Sequence, residues 1–74
     1  MSVYVEDCVI SWKGKLWAHM GADTVDELHE MANKIGLQRE WFQDTKHPHY
    51  DIVESKRQLA LQNGAIAVRS ILRR

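Results

Sequence analysis

Thr45-Lys46-His47-Pro48-His49-Tyr50-Asp51 is the stretch on which the fold turns. It is polar, carries the chain's only proline and reads as a loop. The run before it, residues 37–43 with Trp41-Phe42 inside, then reads as a short buried strand. The run after it, residues 52–63, reads as a helix. Asp51 and Glu54 stand at capping-box spacing for that helix, and Gly64 stands where it must stop. Ala65-Ile66-Ala67-Val68 follows as a strand, and Ser70-Ile71-Leu72 as a final turn.

Working back from the loop, Thr24-Val25-Asp26-Glu27 is a second capping box. Val25, Leu28, Ala32 and Ile35 follow at helical spacing and make one apolar stripe, which Gly36 ends. Upstream, Val3-Tyr4-Val5 is β-branched and aromatic and reads as a strand. Val9-Ile10-Ser11-Trp12 and Lys15-Leu16-Trp17 flank Lys13-Gly14, a pattern that suits a short hairpin. Strands alternating with helices predict parallel pairing through right-handed crossovers. The expected fold is therefore α/β: a small two-layer or three-layer-like β-α-β-α-β domain. Its sheet would be short and mostly parallel, with an N-terminal hairpin. In such sheets ligands lie beyond the carboxyl ends of the strands. That rule selects two loops, residues 7–23 and 44–51, which hold three of the four histidines.

The chain has 74 residues, enough for one domain, residues 1–74, and too few for a generous core. Cys8 is the single cysteine, so no intrachain disulfide can staple the fold. A buried, inert thiol in a reducing cytoplasm is the expected state. Three tryptophans are more than so small a core readily hides, which predicts a homo-oligomer, with Trp12 as an interface residue. Ten basic residues balance ten acidic ones, which argues against tight non-specific nucleic-acid binding. Only Arg69, Arg73 and Arg74 bias one end. Neither a signal peptide nor an apolar run long enough for a membrane is visible.

Three chemistries compete for the histidine-rich segment. His47, His49 and Asp51 alternate, so an extended backbone points them to one side, and with His19 they could ligate a transition metal. Asp51 could instead cap the following helix while the histidines bond to backbone groups. Or the segment could bind an anion at the helix N-terminus, helped by Lys56 and Arg57, with Trp17 or Trp41 stacked on a flat ring. A phosphate-bearing ligand lined by Trp17, His19, Arg39, His49, Tyr50, Asp51, Lys56 and Arg57 is the leading expectation. In it the basic residues meet phosphate and the aromatics stack. The protein would be a binder rather than an enzyme, with no cofactor. The rival is a metal-dependent hydrolase or nuclease-like enzyme using His19, His47, His49 and Asp51. His29 is expected as a partly exposed helix residue.

The residues also resemble a known family. Val3-Tyr4-Val5 with Asp7, Lys15-Leu16-Trp17-Ala18-His19-Met20, Asp23, Glu27-Leu28-His29, Ala32 and Gly36-Leu37 carry the first half of the likeness. Arg39-Glu40-Trp41-Phe42-Gln43, His47-Pro48-His49-Tyr50-Asp51, Glu54-Ser55-Lys56-Arg57 and Gly64-Ala65 carry the second. Together they resemble DUF4031, a family of small bacterial and phage proteins of unknown function. Its most specific elements are Trp17 with His19, and His49-Tyr50-Asp51. In some bacterial relatives a similar domain precedes a phosphohydrolase-type domain, which implies nucleotide-related work. Compact members resemble phage-encoded proteins, a class that includes small proteins sequestering nucleotide signals of bacterial defence. That last implication is one of context, not of motif.

Overall fold

A computed structural model describes residues 2–7 and 10–69, with the side chains of Ile10 and Trp12 excepted. Cys8, Arg73, Arg74 and the turn expected at Ser70-Ile71-Leu72 lie outside the described residues, as does the Trp12 side chain. The element order is β1 (Val3–Glu6), β2 (Ile10–Trp12), β3 (Lys15–Ala22), α1 (Val25–Lys34), a 3₁₀ turn (Arg39–Trp41), β4 (Phe42–Gln43), β5 (His49–Val53), α2 (Glu54–Gln62) and β6 (Ile66–Val68). These strands form one sheet in the order β4-β5-β3-β1-β6, with β2 also paired to β3.

The α/β class holds, but the sheet is mostly antiparallel, not mostly parallel. β1, β2 and β5 all run antiparallel to β3, and β4 runs antiparallel to β5. Among the described residues, only β1 and β6 pair in parallel. The cause lies in the histidine segment. His49-Tyr50-Asp51 is not loop but the first part of β5, paired with β3 in the register His19↔Asp51 and Met20↔Tyr50. Tyr50 and Ile52 alternate inward and are each 1% exposed. The outward members of the strand are polar and hide its period of two. The stretch read as a buried strand before it is instead the 3₁₀ turn followed by the two residues of β4, and Trp41 is exposed.

Two positive-φ residues, Lys13 (φ 51) and Gly14 (φ 75), close the β2–β3 hairpin as a primed turn requires. At α1, the Thr24 hydroxyl oxygen accepts the Glu27 amide at 3.2 Å and donates to the Glu27 carboxylate at 2.9 Å. The helix ends at Gly36 (φ 82), where the Leu37 amide reaches back to the Ala32 carbonyl at 2.8 Å. α2 starts two residues later than the capping pattern placed its cap. Its N-cap is Val53, which makes no side-chain cap bond, and Asp51 belongs to the strand.

The core decides which face of the sheet is free. Val3 and Val5 of β1, Ala18 and Met20 of β3, and Tyr50 and Ile52 of β5 form one cluster with Leu28, Met31, Ala32 and Ile35 of α1 and Ala60 of α2. Both helices therefore cover the same face, giving two layers. The alternate residues, Glu6, Trp17, His19, His49, Asp51 and Val53, point to the opposite face, which no described helix covers.

Candidate functional site

The site sits on the face of the sheet, not in the loops at its carboxyl end. β3 and β5 are neighbours in a register that sets His19 opposite Asp51, while β1 brings Glu6 alongside His19. His49, two residues before Asp51, shares its face. The His19 and His49 rings meet edge to face with centroids 4.7 Å apart.

Hydrogen bonding fixes the orientation of both rings. His19 Nδ1 lies 2.7 Å from Glu6 Oε1, an oxygen that also accepts the His19 backbone N–H at 3.4 Å. His49 Nδ1 lies 2.7 Å from the His47 carbonyl oxygen. A carboxylate and a carbonyl accept, so each Nδ1 carries the proton and donates it. In each neutral ring Nε2 is then a bare lone pair. Both point at the same atom: Asp51 Oδ1 is 3.5 Å from His19 Nε2 and 3.4 Å from His49 Nε2. These separations exceed the 2.7–2.9 Å of a charge-assisted N–H···O bond. They match the edge of a tetrahedron about 3.3–3.4 Å long, which bonds of 2.0–2.1 Å around one zinc-class ion would give. One ligand atom from each of His19, His49 and Asp51 lies within 4.8 Å of the others. Glu6 and the His47 carbonyl occupy the supporting positions that metal-bound histidines generally use to hold ring orientation.

Burial is graded across this set. Glu6 is 7% exposed, whereas the Asp51 side chain is 44% exposed. The support is sealed and the ligand edge is open, so water and a ligand can reach the three donor atoms.

The expected residues divide between the two faces. Trp17, His19, His49 and Asp51 share the uncovered face. His47 contributes its backbone carbonyl, which also accepts from the Thr45 hydroxyl, while its amide donates to Thr45 Oγ1 in an exposed turn. Tyr50 is buried on the helix side, where its hydroxyl hydrogen-bonds His29 Nδ1 at 2.7 Å. Burial raises the Tyr50 phenol above its ordinary range, with the positive charge of Arg39 opposing the shift. His29 is a partly exposed helix residue, as expected, and its ring is pinned between Tyr50 and Phe42, edge-on to the latter at 4.6 Å. Arg39 lines a cavity with His29 and Tyr50 on that helix side. The Arg57 Nε donates to the Glu6 carbonyl at 2.7 Å and its Nη2 pairs with Asp7 at 3.1 Å, which ties α2 to the end of β1. Lys56 Nζ donates to the Ile35 carbonyl at 2.8 Å, at the C-terminus of α1. Arg69 is exposed beyond β6. The eight residues expected around one phosphate ligand therefore do not line a single pocket.

Sequence reading missed Glu6, which looked like the polar end of a strand. Its one signal is parity: Val3 and Val5 face the core, so Glu6 falls on the face that carries His19.

Among the described residues, no helix is long and apolar enough to cross a membrane. No curated protein and no solved structure matches the chain. The sequence does match a family described as "Protein of unknown function (DUF4031)" over residues 3–73, nearly its whole length. The chain belongs to the DUF4031 family.

Proposed function

We propose that this protein is a mononuclear metal-dependent hydrolase, with His19, His49 and Asp51 as the metal ligands. One observation carries the reading: two imidazole Nε2 lone pairs and a carboxylate oxygen converge, each ring oriented by an acceptor on its far nitrogen. Two nitrogens and one oxygen suit zinc and its neighbours in the first transition row. Three protein ligands with an open side are the pattern of catalytic sites; structural zinc sites usually close with four.

When bound, such an ion acidifies water to near neutral pH and polarises the bond to be broken. The chain's residues do the rest. Glu6 and the His47 carbonyl keep both rings in the ligating tautomer. The exposed side of Asp51 leaves room for water and substrate. In the hydrolysis, the water oxygen bonds to the substrate's electrophilic centre, the bond to the leaving oxygen breaks, and that oxygen takes the proton.

The anion-binding alternative loses support from the placements of Arg39, Tyr50 and Arg57, none of which belongs to the open face. Isothermal titration of metal-stripped protein with zinc, manganese and cobalt tests the proposal, followed by turnover of activated carboxyl and phosphate esters. One saturable equivalent, lost in Asp51→Asn and His49→Ala, is expected, with ester turnover that follows the bound metal. Absence of stoichiometric binding, or turnover independent of the triad, refutes it.

A further inference from the structure

A groove of about 550 Å³ adjoins the triad and shares Asp51 with it. Its walls include Trp17, Trp41, Val53, Lys15 and Lys56. Trp17 stands two residues before His19 and Val53 two after Asp51, so the groove runs from Asp51 to a wall one strand repeat, about 6.8 Å, along the sheet. A ligand in the groove therefore extends onto the triad.

We infer that the groove takes the flat ring of a nucleoside phosphate whose phosphate reaches the metal. This rests on the metal reading given above and names the substrate class for that site. The volume lies within the range of small-molecule pockets. Trp41 is 46% exposed, and a tryptophan half in water on a groove wall offers a stacking surface. Trp17 lines the same groove on the side of the triad. Lys15 lies two strand repeats, about 14 Å, from His19, at the end of the groove away from the triad, so the phosphate is met by the metal and not by Lys15; Lys56 has already given a bond to the Ile35 carbonyl and supplies background positive charge. An apolar ester would bring no anionic oxygen to the metal, and a bare phosphate would leave Trp41 unused. A ring joined to a phosphate by a pentose uses both.

The test is calorimetric and fluorescence titration of zinc-loaded protein with AMP, ribose 5-phosphate and adenosine. AMP is expected to quench tryptophan emission saturably and to bind at least about tenfold tighter than either fragment, a stacking-sized difference. Trp41→Ala is expected to lose that advantage of about tenfold while binding zinc unchanged. Equal binding of AMP and ribose 5-phosphate, undiminished AMP binding by Trp41→Ala, or AMP binding that persists unchanged after zinc is stripped, overturns the assignment. Failure of the zinc titration itself overturns the metal reading, and this inference with it. One equivalent of zinc bound without AMP selectivity overturns this inference alone.

Discussion

Glu6 Oε1 stands 2.7 Å from His19 Nδ1, and the carboxylate is almost entirely out of solvent while the ring's other nitrogen faces the open side of the sheet. A carboxylate so placed orients the imidazole and strengthens it as a donor to a metal. Glu6→Gln keeps the shape of the side chain and removes the charge. Zinc affinity is expected to fall about 10–100-fold, the usual cost of losing such a partner, with thermal unfolding of the metal-free protein changed far less. Affinity equal to that of the parent protein would remove Glu6 from the site.

His47 and His49 are two residues apart in sequence and differ in role. His49 offers Nε2 to the triad, while His47 offers only its carbonyl, to His49 Nδ1 at 2.7 Å. His47→Ala preserves that carbonyl, so zinc binding should persist within about threefold of the parent, whereas His49→Ala should abolish a ligand and, with it, stoichiometric uptake. Equal losses in the two variants would mean that the His47 ring ligates, as the alternating sequence pattern first implies.

Arg57 was expected to meet phosphate, yet its guanidinium is occupied by the Glu6 carbonyl and Asp7. Its side chain is 13% exposed, so the contact to the Glu6 carbonyl is largely shielded. Arg57→Ala should therefore cost about 1–3 kcal/mol of stability in urea unfolding, by removing a charged donor from a shielded carbonyl at the end of β1. The metal-loaded protein should bind AMP as before once it is folded. A variant of unchanged stability with weakened AMP binding would return Arg57 to the ligand.

Much of this architecture is legible in the residues. The Thr24 cap, the stripe of Leu28, Ala32 and Ile35, the Lys13-Gly14 turn and the Gly36 and Gly64 stops each depend on local chemistry, and each sits where its pattern puts it; Val25, the stripe's expected first member, is exposed. β5 is hidden for a physical reason. A strand with one face in the core and the other in a polar site alternates Tyr50 and Ile52 with His49 and Asp51, and the proline just before it signals loop. The same alternation placed His49 and Asp51 on one side correctly, because period two is a property of extended backbone whatever the pairing. What no local pattern contains is the β3–β5 register, and so the meeting of His19 with Asp51 is a tertiary fact. Glu6 is harder still, since it reaches His19 only through the pairing of β1 with β3.

The buried pair on the opposite face yields the pH-dependent prediction. The Tyr50 hydroxyl is hydrogen-bonded to His29 and lies in the core, and burial holds its proton on beyond the ordinary range. An unfolded tyrosine ionises near pH 10, before the folded one. Above that pH the unfolded state binds fewer protons than the native state, so the stability Tyr50 confers is complete below about pH 10 and is lost as pH rises through the folded value. In metal-free protein, Tyr50→Phe should be less stable by about 1 kcal/mol at pH 7, because His29 loses its partner. That deficit should shrink as urea unfolding is repeated from pH 9.5 to 11, since phenylalanine has no proton to lose. A deficit constant across this range would mean that the Tyr50 hydroxyl ionises equally in both states, and that the core does not shield it.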